Sequence, residues 1–567
     1  MSKNIKLLFF IVLFLGTVTT NAQVTIGSEA IPNAGSLLDL KQNTNIGVNS
    51  IAGLGLPRVT LKKQKPTTPA ELSSSIGGTG NWDFNEHIGL VIYNVLDNAQ
   101  CGMPTGPFVW DGVEWTYLFS DNSTSNSTPL QGDYNSDIAA LKELYNANPS
   151  NTLGWDLSSD PSTWAGVKID SVCGDKRVIE LSISSRKLGL STGIEKLYAL
   201  NKLYCNSNQL TSLNLSENTE LAFMNCGSNQ LTSLDLSKNT KLTNLVCSSN
   251  KLTTIDISNS TILKYLECSS NKLTNLDVTN NTQLTYINCS SNQLSNIDVS
   301  KNINLTSLSC VSNQLTNLDI SKLVNIIFLD CDSNQLTNLD LSKNSKLQSL
   351  YCYMNKLTSL DLSNNMEIKR LYCYMNKLTS LDLSNHTAIT DLNCSANQLL
   401  SLNLTNCTAL TALNCGSNLL SNLDISNNIS IKSLDCSNNK LSNLNTSNNI
   451  LLTELDCRTN QLATLNVSPN TQLTRLICFS NQLTNLDVSN NINITVFNCS
   501  TNYLTSLDIS ANTKLKTLYC YNNWMDQTAV DGLKNNPNYC SITTKTVIPQ
   551  YTPNTTTNSG VIAPTCP

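Results

Sequence analysis

Sixteen cysteines recur at one fixed interval of 21 residues, from Cys205 through Cys226 and Cys247 to Cys520. Regularly spaced thiols of this kind could form disulfides, hold metal ions, exchange electrons or accept covalent groups. Each use needs thiols that are exposed, paired or set among positive charge. The local pattern points elsewhere. The run x-Leu-x-Cys-x alternates with period two, so Leu203 and Cys205 face inward while Lys202, Tyr204 and Asn206 face outward. A cysteine at a buried strand position behaves as a small apolar residue. The expectation is a spine of reduced, unreactive thiols.

Other reactive types are sparse. The chain has two histidines, His87 and His386, and neither stands beside a plausible nucleophile. It shows no glycine-rich phosphate loop and no metal-ligand spacing, so it reads as a non-enzyme with no cofactor. Asp330 and Asp332 form a carboxylate pair of the kind glycosidases use. They alternate along one strand on a shallow face, however, which supplies no water-excluded cleft. A further row of aspartates, from Asp235 to Asp508, recurs in the other half of the repeat. Carboxylates about 5 Å apart repel by roughly 0.8 kcal/mol in water, which favours hydrogen bonding, raised pKa values or weakly held cations. A calcium loop gathers several oxygens on one ion, and one carboxylate per repeat does not.

The elements that must position these residues follow from the repeat, roughly LxxLxCxxNxLTxLDLSxNTx. A complete copy runs Leu242, Leu245, Cys247, Asn250, Leu252, Ile255, Asp256, Ile257, Ser258. A unit this short cannot bury its own apolar face and must stack on its neighbours, which makes the chain a solenoid. Each repeat contributes one short strand to a parallel sheet, with a short second strand on the opposite face. The asparagine three residues after every ladder cysteine, Asn208 to Asn523, is placed to satisfy backbone groups that the turn leaves unpaired. Sixteen rungs at about 4.8 Å give a sheet about 75 Å long.

These motifs resemble leucine-rich repeat proteins, most closely the bacterial 21-residue, cysteine-ladder class of internalin J type. The resemblance spans residues 200–523 and implies adhesion or recognition. Before it, residues 23–119 lack the leucine frame and read as a small β-rich module. Its phrases QVTIG, SLLDL, GLGLPRVTL, GLVIYNV and FVWDGVEW resemble N-terminal modules of secreted Bacteroidetes proteins. Residues 120–130 read as a Ser/Thr/Asn-rich linker. Residues 131–199, with Ile138, Leu141, Leu144 and Tyr145 at helical spacing and then Trp155 and Trp164, resemble the N-terminal cap of plant-type leucine-rich repeats. Such a cap covers the first rung, so both tryptophans are expected to be structural. Residues 524–567 read as a C-terminal cap with a helix, a closing strand and a tail.

The compartment is legible at the N-terminus. Residues 1–22 have the form of a signal peptide, with Lys3 and Lys6 before an apolar core at 7–15 that is too short to span a bilayer. No later segment looks transmembrane, so the mature chain is expected outside the cell or on its surface. The formal charge of −5 includes two leader lysines, and the more acidic mature chain disfavours nucleic acid and anionic lipid as partners. Export conflicts with unpaired thiols unless these are buried. Five cysteines stand off the ladder, Cys101, Cys173, Cys407, Cys540 and Cys566. Cys540 with Cys566, or Cys101 with Cys173, could pair.

Recognition is expected on the outward strand positions, most of which are small or polar. The clearest departure is Tyr351, Tyr353, Tyr372 and Tyr374 on adjacent rungs, with Phe328, Asp330, Asp332 and Arg370 beside them. Tyrosines bring contact area at low entropy cost plus a hydroxyl, which suits a protein anchor and also stacking on sugars. The alternative is that they stack only to stabilise the sheet. A second group, Glu454, Asp456, Arg458, Arg475 and Phe479, reads as a solubilising face. The expected partner is a protein ligand. A surface glycan on the same aromatics, or a spacer without a ligand, are the rival readings.

Overall fold

The computed structural model describes residues 24–26, 38–40, 58–66, 68–78, 81–85, 88–94, 103, 105–118, 131–552 and 559–566. The expected leader, the 120–130 linker, His87 and Cys101 lie outside them. Among the described residues no helix is long and apolar enough to cross a membrane. The chain forms two compact units, residues 1–137 with 169–178, and residues 138–168 with 179–567.

In the first unit a four-stranded sheet, Arg58–Val59, Val91–Asn94, Gly106–Trp110 and Trp115–Tyr117, accompanies the helix Pro69–Ser75. Thr68 caps that helix, its hydroxyl accepting from the Glu71 amide. The core is Leu61, Leu72, Ile92, Met103, Phe108, Trp110 and Trp115, with Cys173 packed against it. Cys173 is disulfide-bonded. Asp137 and Arg177 form a buried ion pair, Nε to Oδ2 at 3.0 Å and Nη2 to Oδ1 at 3.0 Å.

The second unit is the solenoid. Sixteen three-residue strands, Lys202–Tyr204 to Thr517–Tyr519, pair in parallel, each with the next rung's strand. Residues 180–182 pair with the first and Thr544–Thr546 with the last. Every ladder cysteine is buried and free. Burial in an apolar interior pushes the thiols up, to about 12 at Cys205 and Cys394, so they stay neutral and inert. Burial of this kind is what unpaired thiols would need in a chain expected to be exported.

Two columns of asparagine hold the turns. The one legible in the sequence is fully bonded: Asn355 donates to the carbonyls of Cys331 (3.0 Å) and Cys352 (3.2 Å) and accepts from the Leu336 amide (3.0 Å). The second, on the far side of each rung, is half-bonded. Asn344 donates to the Ile320 and Leu323 carbonyls at 3.0 and 2.9 Å, while its Oδ1 is buried without a partner. That difference explains why the first column is asparagine in every rung, whereas the second admits Ser260, Leu323, His386 and Cys407. Cys407, off the thiol ladder, is thus a substitute in the second asparagine column, and its Sγ lies 3.6 Å from the Leu383 carbonyl.

The second strands expected on the opposite face reduce to one bridge, Asp382 to Asn403. Side chains take up the amides there: Asn Oδ1 binds the leucine N–H, and each aspartate accepts from the amide two residues on, as Asp340 does from Ser342 at 2.9 Å. The aspartate row therefore caps turns, and those backbone bonds hold Asp235, Asp256, Asp340 and their fellows below the usual carboxylate range. The raised values weighed from the sequence do not occur along this exposed row.

Both ends are sealed. The helix Tyr134–Ala147 leads to Asn148, whose Oδ1 accepts from the Gly189 and Leu190 amides. Trp155 and Trp164 stack at 5.1 Å, and both are buried with their indole N–H groups bonded to backbone carbonyls. At the other end the helix Gln527–Gly532 and strand Thr544–Thr546 form as expected. The segment read as a tail is tied down, because Cys540 and Cys566 are joined by a disulfide. Gln550 also extends the first asparagine column, accepting from the Asn523 amide and donating to the Cys520 carbonyl, each at 3.0 Å.

His386 gives a direct test of the second column. It is 2% exposed and neither ring nitrogen has a well-aligned partner. Burial depresses its pKa, against the nearby Leu362 and Leu383 carbonyls, which favour the charged ring. A histidine held neutral binds fewer protons folded than unfolded, so stability falls as pH drops below the ordinary value of 6.5. His386→Asn restores the amide at this site. It is expected to stabilise the solenoid by about 1–2 kcal/mol at neutral pH, with a wider margin at about pH 5. Urea unfolding at both pH values measures this, and an unchanged midpoint would show that the ring already replaces the amide.

Candidate functional site

Outward side chains of the sheet form three columns: before the inward leucine, between leucine and cysteine, and after the cysteine. Small polar residues fill most places, so large side chains stand out as blocks. Tyr353 and Tyr374 share the third column and stack at 4.3 Å with planes 8° apart. In the second column Tyr351 and Tyr372 meet edge to face at 5.0 Å, and Phe328 touches Tyr351 at 5.5 Å. The Tyr372 hydroxyl donates to Asp391 Oδ2 at 2.8 Å. Burial and that carboxylate raise its pKa to about 12, so it stays a donor at physiological pH.

The structure brings together the residues singled out from the sequence, with one correction. Asp330 is half-buried and Arg370 exposed, as margin charges should be, but Asp332 is only 2% exposed. Its column continues into the stacked Tyr353–Tyr374 pair one rung on, and its Oδ2 accepts from the Ser333 hydroxyl at 2.7 Å. Burial, and then the neighbouring Asp332 carboxyl, lift Asp330 well above the usual carboxylate range. Asp332 is therefore packed into the face beside the stacked tyrosines, while Asp330 stays half-buried next to Tyr351.

Beside the tyrosines the patch gains apolar surface that alternation did not predict. Met354 and Met375, 45% and 49% exposed, occupy the turn position that has positive φ in every rung, 51° and 55° here. Most rungs place serine there. The left-handed backbone aims the turn amide at the next rung, as from Met354 N to the Tyr374 carbonyl at 3.0 Å, and leaves the side chain at the sheet margin.

Sequence reading missed a second aromatic block. Tyr265 and Tyr286 stack at 4.3 Å with planes 2° apart, beside Glu267, which accepts from the Ser269 hydroxyl and Asn288 amide at 2.5 and 2.9 Å. The signal was available, since these residues lie 21 apart in the first outward column. Between the two blocks Ser307 and Ser309 restore the small background.

Beyond Tyr372 the face dips. A depression of about 370 Å³ is lined by Tyr372, Asp391, Asn393, Ala412, Asn414 and Ser433, and farther along by Asp435, Glu454, Asp456 and Arg475.

Comparisons with known proteins fit this picture. Residues 25–129 match the family described as a phage tail like trimerisation region. The functional domain of InlJ from Listeria monocytogenes, whose structure includes a cysteine ladder, is 36% identical over 59% of this chain and 70% of its own, with a TM-score of 0.52. A leucine-rich repeat protein of Leptospira interrogans shares the fold at 22% identity, 65% and 95% coverage and a TM-score of 0.55. The Arabidopsis receptor kinase HAESA, solved with the peptide hormone IDA and a co-receptor, does so at 18% identity, 71% and 84% coverage and a TM-score of 0.52. No curated protein matches the chain significantly.

Proposed function

Because this chain belongs to the cysteine-ladder class of leucine-rich repeat proteins, we propose that it is an exported recognition protein that grips a protein ligand through the sheet face. The carrying observation is the contiguous block of Tyr351, Tyr353, Tyr372 and Tyr374 edged by exposed Met354 and Met375, an apolar margin that the Tyr265–Tyr286 block lacks. Stacking that only steadied the sheet would not call for two exposed methionines alongside. Apolar side chains favour a protein partner over a sugar, which is gripped by aromatic faces and hydrogen bonds. The leader-like N-terminus and the Cys540–Cys566 disulfide support export.

The test uses residues the repeat already tolerates. Tyr353→Ser and Tyr374→Ser install the serine found at Ser248, Ser290 and Ser395, so folding should be retained. Full-length wild type and the double variant are compared on cells and on matrix proteins, with and without protease treatment, and on glycan arrays. Binding that is protease-sensitive and weakened at least about tenfold in the variant is the expected result. Equal binding by both proteins would remove the tyrosine face, and binding only to sugars would move the assignment to the glycan reading.

We also infer that three copies assemble through the N-terminal module, on the strength of the match over residues 25–129. Three linked solenoids would convert weak single contacts into tight attachment. Light scattering of the full chain should report three times the monomer mass; a monomer would refute the assembly.

A further inference from the structure

The sheet face changes character past Tyr372. Over the rungs of Cys394, Cys415 and Cys436 the first two outward columns carry only Asp391, Asn393, Ala412, Asn414, Ser433 and Asp435, and this is where the face dips. The far bank is acidic. Asp435 and Asp456 are register partners on adjacent strands, with Glu454 beside them. The cations beside the depression are Arg458, 3.5 Å from Asp456, Arg475, in register with Glu454, and Arg370, in register with Asp391 on the near bank. Burial, and then the Asp435 charge, raise the pKa of Asp456, while Arg458 and Arg475 lower it. The near bank is Tyr372 with Asp391 held on its hydroxyl.

We propose that this depression receives an extended, positively charged peptide segment of the protein ligand, its chain running along the solenoid across the strands. The inference rests on the protein-ligand reading above and adds the chemistry of the contact. Dimensions decide the form of the ligand. Asp391 and Asp456 are three rungs apart, about 14 Å at the strand spacing, which is far beyond the reach of a single metal ion. An extended chain covers that distance in about four residues. The matching segment thus carries one cationic side chain against Asp391 and the Tyr372 ring, and a second about four residues on against Asp435, Glu454 and Asp456. The residues between lie over Ala412 and must be small. Arginine suits both ends, since it pairs with carboxylates in a fork and stacks on an aromatic ring.

Labelled peptides supply the test, by fluorescence anisotropy with the full-length protein. One carries arginines at its first and fifth positions with alanine and serine elsewhere; a second has the arginines adjacent; a third has glutamates in their place. The spaced peptide should bind best and lose affinity with added salt, and the glutamate peptide should not bind. Asp435→Asn with Asp456→Asn should weaken the spaced peptide at least about tenfold. Asparagine already fills that column at Asn393 and Asn414, so the fold should hold. Ala412→Trp should block binding with the charges untouched. Equal affinity for spaced and adjacent arginines, no binding, or indifference to both variants would overturn the proposal. The two readings separate on the cell-bound ligand: loss in the tyrosine variant but not in the Asp435→Asn, Asp456→Asn variant keeps recognition and removes the cationic segment. Loss in neither removes both.

Discussion

Asn355→Ala is expected to destabilise the solenoid by about 3–5 kcal/mol, far more than most single substitutions. The side chain satisfies the Cys331 and Cys352 carbonyls and the Leu336 amide at 3.0–3.2 Å, all within the interior. Alanine leaves the Leu336 amide buried and unbonded, at about 1–3 kcal/mol, and takes one of two donors from each carbonyl, at about 0.5–1.5 kcal/mol apiece, since Cys331 keeps Asn334 and Cys352 keeps Asn376; a methyl group is also too short for the turn to close on it. The control is Asn344→Ala in the second column. That residue makes two bonds and already carries an unpartnered Oδ1, and Leu323 fills the equivalent place one rung earlier. A loss of about 1–2 kcal/mol is expected there. Urea midpoints of the two variants measure the contrast; equal losses would show that the first column is not the stronger brace.

Asp137→Asn should cost about 3–5 kcal/mol in the N-terminal unit, because it strips the paired counter-charge from a buried guanidinium. Arg177 and Asp137 are 3% and 0% exposed, and the bonds run in a two-toothed fork. Asp137 Oδ2 also accepts from the Val178 amide at 2.8 Å. Asparagine keeps the size but can offer only one acceptor oxygen to three donors. The companion Arg177→Met, Asp137→Leu double variant replaces the pair by apolar groups and should recover much of the loss. Differential scanning calorimetry of the full chain would follow the transition of this unit. A single variant that melts with wild type would show the pair to be dispensable.

Much of this was legible without coordinates. A period of 21 with inward Leu and Cys fixes a parallel ladder, since only stacking hides such a face, and the same alternation places Tyr351, Tyr353, Tyr372 and Tyr374 outward. The cysteine count leaves Cys540 with Cys566 as one of two possible pairings, and these two are joined. Other features were present as signals but not read: the half-bonded asparagine column stands in the repeat frame itself, and Tyr265 and Tyr286 lie one period apart. The burial of Asp332 was not legible, because alternation tells which way a side chain leaves the strand but not what the next rung lays beside it.

By itself, then, the amino-acid sequence determined what is local and periodic: strand, turn, rung, the thiol spine and the face that each residue joins. These follow from covalent geometry repeated at one interval. Only the tertiary structure decided what depends on side-chain volume and on residues far apart in the chain. It joined Asp137 to Arg177 across 40 residues, brought Gln550 in as the last member of the asparagine column, and turned three rungs of small side chains into a depression lined by a tyrosine and four carboxylates. Such contacts carry no period, so they become visible only once the chain is folded.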